Sequence, residues 1–160
     1  KASLEGYKLD GYKKLNAFYR GQYIPKSVSE KAELKERAAT ISGAIAKSEL
    51  VNDVVGYRGL SNSVLATRAD KLVGKTLTVP GFQSLSLDYD TAFDFVGKED
   101  RILFEYKLPR AHKALWMDPF QTAEYAGEQE LLLDRGQKFN VTGTRRASNA
   151  VIITMTPVVA

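Results

Sequence analysis

The sequence has 160 residues, 44% hydrophobic and 26% charged, which suits one compact domain and leaves no apolar run long enough to span a bilayer. It has no cysteine and a single histidine, His112, so disulfides, thiolate metal sites, a cysteine nucleophile and zinc sites built on two histidines are all excluded. The net charge of +4 can attract a small anion such as a dinucleotide but is too mild to indicate a nucleic-acid partner.

Two helices are expected first. Tyr12, Leu15, Phe18 and Tyr19 fall at helical spacing. Ser27-Val28-Ser29-Glu30 reads as a capping box, after which Leu34, Ala38, Ile41 and Ile45 form one apolar stripe. Lys31 to Arg37, with a Glu33–Arg37 i,i+4 pair, reads as a solvated helix face, the alternative being a partner surface. Past residue 50 the pattern shortens. Val54 to Arg58 reads as a strand, 61 to 72 as a short helix ending near Gly74, and Thr76 to Val79 as a strand stopped by Pro80-Gly81. Phe82 to Ser86 is extended. Asp88 can cap a short helix carrying Ala92, Phe93 and Val96, with Gly97 behind it. Ile102, Phe104, Tyr106 and Leu108 alternate, which predicts a half-buried strand over Arg101 to Leu108. Further strands are expected near 114–117, 130–133, 138–142 and 150–158. Few connections are long enough for βαβ crossovers, so the class is α+β, with a helical part over 1–50 and a mainly β part over 51–160 of a single domain.

The common nucleotide and hydrolase motifs are absent: no G-x-G-x-x-G after a strand, no G-x-x-x-x-G-K-[ST], no G-x-S-x-G and no H-E-x-x-H. The most unusual stretch is Tyr125-Ala126-Gly127-Glu128-Gln129-Glu130, running into Leu131-Leu132-Leu133. In extended backbone residues i and i+2 share a side, so Glu128 and Glu130 would face one space. Two close carboxylates repel unless something positive compensates. They suit a transition state that carries positive charge, such as an oxocarbenium ion, or else form a solvated acidic turn. Arg58 ends an apolar strand beside Gly59, a pairing that can hold a phosphate, or the arginine is a surface or salt-bridging one. Ser84 and Ser86 share a face and can hold a carboxylate or a ligand, or are strand-edge serines. His112 reads as an exposed loop histidine rather than a catalytic base. Trp116 reads as core, with a cleft wall as the alternative.

Taken in order, Tyr57-Arg58-Gly59, Phe82-Gln83-Ser84-Leu85-Ser86 and Gly127-Glu128-Gln129-Glu130 resemble the Arg, Ser-Thr-Ser, Glu-x-Glu signature of arginine-specific mono-ADP-ribosyltransferases. The flavour is that of iota toxin, the VIP2 insecticidal toxin, the Salmonella actin-modifying toxin and the phage-encoded transferases. Gly136-Gln137-Lys138-Phe139 also suits that group, and the resemblance covers residues 54 to 142. It departs at Leu85, where the family has Thr, and Gln129 stands where relatives often carry a bulkier residue.

The resemblance implies two small, mainly antiparallel β-sheets meeting at an angle around an NAD cleft, with the N-terminal helices alongside. It implies NAD as co-substrate and no metal. Arg58 would bind the NAD phosphates and Gly59 the nicotinamide amide, with Ser84, Ser86, Phe93 and Glu130 completing the NAD site. Ser84 would orient Glu130, which holds the nicotinamide ribose and stabilises the oxocarbenium ion. Glu128 would position and deprotonate the incoming guanidinium, and Tyr125 would help dock the target protein. Phe93 reads equally as a core residue of its short helix. The implied partner is a host protein with an exposed arginine, such as actin, RNA polymerase or a small GTPase. The implied carrier is a monomeric toxin or phage effector, secreted or delivered into a host cell. The rival readings are an enzyme that is mainly an NAD glycohydrolase and a catalytically silent phage or virion binding module.

Overall fold

The apolar stripe at helical spacing does form a buried helix face. A computed structural model describes residues 12–94, 100–117, 130–147 and 150–158. Within it, α1 (Tyr12–Tyr19) precedes α2 (Val28–Ala46), and Leu34, Ala38, Ile41 and Ile45 of α2 are all buried. Ser27 Oγ accepts from the Glu30 amide at 3.0 Å, the first half of the expected capping box. The return bond lands one residue further back than that motif requires, because Glu30 accepts from the Lys26 amide at 2.8 Å. Asn16 on α1 is buried, and its Oδ1 accepts from the Phe82 amide at 2.8 Å. A side chain at residue 81 would sit 2.9 Å from that oxygen, so Gly81 is what lets the helix clamp the start of the serine strand.

The strands are β1 (Val54–Ser61), β2 (Thr76–Val79), β3 (Gln83–Ser86), β4 (Arg101–Leu108), β5 (Ala114–Trp116), β6 (Glu130–Leu133), β7 (Gln137–Ala147) and β8 (Ala150–Pro157). Between β1 and β2, α3 (Ser63–Arg68) tightens into a 3-10 turn over Ala69–Leu72. Between β3 and β4, α4 (Tyr89–Asp94) is capped by Asp88, whose Oδ1 accepts from the Asp90 amide at 3.0 Å. The expected Val96 and Gly97 of that helix lie outside the described residues. The strand order is β2-β7-β8-β4-β1-β3-β6-β5, and only β4–β8 is parallel. β1 meets β3 through one residue pair, Tyr57 opposite Ser86. The ladder therefore has a five-stranded part and a three-stranded part, joined at one backbone step. This is the α+β, two-sheet architecture expected from the sequence, with the added finding that hydrogen bonding links the sheets.

Alternation along β3 and β6 assigns their faces. Leu85, Leu131 and Leu133 pack with Ile102, Tyr106, Phe139 and Ile153 of the five-stranded part, so this core is shared by both parts. Phe82 and Leu132 point the other way, onto the α2 stripe and Leu15 of α1. A third cluster puts Ala92 of α4 against Leu103 and Ile152, on the far face of the five-stranded part. That helix corrects one expectation. β4 is not half-buried: Ile102, Leu103, Glu105, Tyr106 and Leu108 are all buried, because α4 covers the face that alternation would have left to water. β7 also runs to Ala147, well past 142, in a long hairpin-like pairing with β8.

A charge is buried in β4. Glu105 accepts from Arg145 Nη1 at 3.0 Å and Nη2 at 2.9 Å, and from Thr154 Oγ1 at 3.0 Å. The Glu105 side chain is 8% exposed and that of Arg145 52%, so the pair joins a buried carboxylate to a guanidinium still in contact with water. Arg145 holds the Glu105 carboxyl below its ordinary range, against the opposing pull of burial. Its contribution to stability is therefore complete above about pH 4.3, the ordinary carboxylate value, and is lost as pH falls through the lowered folded value.

Two outcomes follow for stability. Gly56 packs on Leu85 so closely that a Cβ would come within 2.9 Å of Leu85 Cδ1. Gly56→Ala should lower the free energy of unfolding by about 1–3 kcal/mol in urea titration. Gly143→Ala, which meets nothing within 4 Å, should cost far less. Glu105→Gln should cost about 1–3 kcal/mol at pH 7 and flatten the acid limb of the stability curve between about pH 5 and 3. A variant with the parental acid limb would show that the pair does not govern it.

Candidate active site

The sheet register carries the site. Tyr57 lies opposite Glu105 on β4, opposite Ser86 on β3, and Ser86 lies opposite Glu130 on β6. One row therefore crosses four adjacent strands: Glu105, Tyr57, Ser86, Glu130. With strands about 4.8 Å apart, Tyr57 and Glu130 are about 10 Å apart across the row. Arg58 and Gly59 follow Tyr57 directly, and Ser84 is one diagonal step from Glu130 on the side of β3 that carries Ser86. Arg58, Gly59, Ser84, Ser86 and Glu130 are all half-buried, neither sealed in core nor fully in solvent. Five of the residues singled out in the sequence, dispersed over 73 positions from 58 to 130, thus meet where the two parts of the sheet join.

Leu85, the departure from the Ser-Thr-Ser pattern, points away from the serines. It is 1% exposed in the shared core, so a leucine there removes no polar group from the serine face. Glu128 and Tyr125 lie outside the described residues. Phe93 lies on α4, stacked on Tyr89 with centroids 5.8 Å apart, and the Arg101 guanidinium sits 4.9 Å from its ring centroid. Tyr89 in turn meets Tyr57 edge-on at 5.5 Å. An aromatic chain thus runs from the central row to Phe93. Burial pushes the Tyr57 hydroxyl pKa up, and the Glu105 charge adds to that.

Two sequence readings are corrected. His112 is not an exposed loop histidine: it is half-buried, and burial lowers its pKa. It sits in the β4–β5 turn, away from the row. Trp116 is 38% exposed on β5, an edge strand, and is not core. The residues that sequence reasoning missed are Glu105, at one end of the row, Arg145, which is bonded to it, and Tyr57, which stands in the sequence only as part of a motif. A signal existed for Glu105, a lone charge inside the apolar run Ile102-Leu103-Phe104-Glu105-Tyr106.

Chemically, the row offers the hydroxyls of Tyr57 and Ser86 and the Glu130 carboxylate, while Arg58, next to the row but on the other face of β1, can offer a guanidinium to a diphosphate and Gly59 a backbone open to close approach. Among the described residues no group of three or more His, Asp or Glu side chains gathers as a cation would require.

Solved structures share this architecture. Plx2a, an ADP-ribosyltransferase toxin from Paenibacillus larvae, superposes with a TM-score of 0.79 at 21% identity, over 99% of this chain and 85% of its own. Vis, an ADP-ribosyltransferase from Vibrio splendidus solved with agmatine, gives 0.77 at 23% identity, over 99% and 74%. C3stau2 from S. aureus, solved with NAD, gives 0.77 at 21%, over 98% and 85%. A search of curated proteins by sequence returned no significant match. The model of the family described as "ADP-ribosyltransferase exoenzyme" matches residues 1–156, nearly the whole sequence. With that match, and a row of strand residues suited to a dinucleotide, the chain belongs to the ADP-ribosyltransferase exoenzyme family.

Proposed function

We propose that this ADP-ribosyltransferase takes NAD as donor and transfers its ADP-ribose to an arginine side chain of a host protein, releasing nicotinamide. The observation that carries the reading is the row in which Ser86 and Glu130 sit across from Tyr57, beside Arg58 and Gly59. NAD in the C3stau2 structure supports the donor, and agmatine in the Vis structure supports the acceptor, since agmatine ends in a guanidine as arginine does. An exoenzyme of this kind acts after secretion or delivery into a host cell.

The roles follow from charge. Arg58 pairs with the diphosphate, and Gly59 admits the nicotinamide amide to the backbone. Phe93 packs at the nicotinamide end. Glu130, oriented by Ser84 with Ser86 beside it, holds the ribose hydroxyl and faces the anomeric carbon. The bond from the nicotinamide nitrogen to C1′ breaks with both electrons going to nitrogen, so nicotinamide departs neutral and C1′ becomes oxocarbenium-like. The Glu130 carboxylate stabilises that charge better than the ground state, which is what lowers the barrier. A guanidine nitrogen then attacks C1′, and Glu128 accepts the proton it sheds. Arginine is almost always protonated in water, so an oriented carboxylate is needed to make its nitrogen nucleophilic. Tyr125 docks the target.

Purified protein with labelled NAD should modify agmatine and an arginine-bearing protein. Glu130→Gln should lower both nicotinamide release and transfer by about 100- to 1,000-fold. Glu128→Gln should leave nicotinamide release within a few fold while transfer falls by about 100-fold. Full activity in the Glu130 variant would remove the mechanism. Parental transfer by the Glu128 variant would remove that residue's role. Nicotinamide release that no guanidine acceptor diverts would instead identify a glycohydrolase.

A further inference from the structure

One hydrogen bond crosses the shared core between the two parts of the sheet. Tyr106 on β4 donates its hydroxyl to Gln83 Oε1 on β3. Both residues are sealed, at 1% and 2% exposure, among the side chains of Leu85, Phe139 and their neighbours. The Tyr106 ring meets Phe139 edge-on at 5.0 Å and lies 6.2 Å from Phe104. The other end of the Gln83 amide, Nε2, has no hydrogen-bond partner among the described residues. Turning the amide over would only exchange which end is unpaired. An orphaned donor in an apolar core weakens a fold, and two apolar side chains of the same shape would fill the space without that penalty. The pair therefore calls for a reason other than stability.

Its position supplies one. Gln83 immediately precedes Ser84, while Tyr106 lies opposite Gly56, two residues before Arg58. Arg58 and Tyr106 thus project from the same face of the five-stranded part, and the phenol lies within the field of the Arg58 guanidinium, although burial dominates and pushes its pKa strongly up. Among the described residues, strand pairing joins the two parts at Tyr57–Ser86 alone. Arg58 belongs to one part and Ser84, Ser86 and Glu130 to the other, so the gap that a dinucleotide must fit depends on how the parts are held together. We propose that Gln83 and Tyr106 are positioning residues: their buried hydrogen bond fixes Arg58 relative to the Ser84–Glu130 face and so presets the gap for the donor dinucleotide. This rests on the NAD reading above and extends it to residues that touch no substrate.

The test separates positioning from packing. The double variant Gln83→Leu/Tyr106→Phe removes the bond and the orphaned donor together. It should unfold at or above the parental temperature, yet raise the KM for NAD about 10-fold in nicotinamide release, because binding must now set the gap itself. At saturating NAD, kcat should stay within about threefold of the parent. Tyr106→Phe alone should raise KM in the same direction with a lower Tm. A destabilised control remote from the site, Ser27→Ala, should lower Tm without moving KM. Parental KM in a folded double variant overturns the proposal, and if the double variant does not fold, parental KM in Tyr106→Phe overturns it equally. A parent protein that neither binds NAD in calorimetry nor releases nicotinamide overturns the functional reading itself, and the purpose of the tie with it. An active parent with indifferent variants overturns only the tie.

Discussion

Everything at the site depends on how β1 is held against β3. Those strands share a single backbone pair, and the two parts of the sheet otherwise meet through side chains. A single pair of this kind is weak alone, since a typical net hydrogen bond contributes about 1 kcal/mol. The apolar core stabilises the joint far more. Leu85 sits against Gly56 so closely that a Cβ there would come within 2.9 Å of Leu85 Cδ1, and Leu131 and Leu133 extend the core. The candidate site and the shared core are thus carried on opposite faces of the same short strands. Ser84 and Ser86 alternate with Gln83 and Leu85, and Glu130 heads the run whose leucines supply both cores.

The helices serve the same arrangement from outside. Asn16 grips the Phe82 amide, and the α2 stripe covers Phe82 and Leu132, so the serine strand is pinned at its start as well as through its core face. On the far face of the five-stranded part, α4 buries Leu103 and Ile152 and leans its aromatics on Tyr57. Glu105 and Arg145 stiffen the strand beneath. The carboxylate is paired bidentately and also bonded by Thr154, which satisfies a charge that could not otherwise stay buried.

Much of this was legible in the residues, and the exceptions have physical causes. The α2 stripe, its Ser27 N-cap without the full capping box, the strand Thr76–Val79 and the leucine strand of β6 follow local periodicity. The order of Arg58, the serines and Glu130 was legible as a pattern, but their convergence required knowing that β3 lies between β1 and β6, a long-range pairing no window of sequence contains. β4 misled because alternation reports one covered face, whereas α4 covers the second. Trp116 misled because large aromatics are usually buried, whereas β5 closes one end of the sheet and leaves the indole partly in solvent. His112 misled because its charged neighbours suggested a loop in water, while a backbone bond from the Leu50 amide to the His112 carbonyl, 3.0 Å, draws the turn inward.

The strand order also constrains how the chain is made. β8, the last strand in sequence, is inserted between β7 and β4 near the middle of the sheet, and its parallel partner β4 begins 49 positions earlier. Until β8 is present, β4 has a bare edge where Ile152 and Ile153 will later lie, and β2 and β7 lack the strand that hydrogen-bonds them into the sheet. A chain growing on the ribosome therefore cannot close its sheet until Ala150–Pro157 has emerged. Such late, non-local closure makes for slow folding. It also gives an unfolded or partly translated chain a long interval before its binding surfaces exist at all.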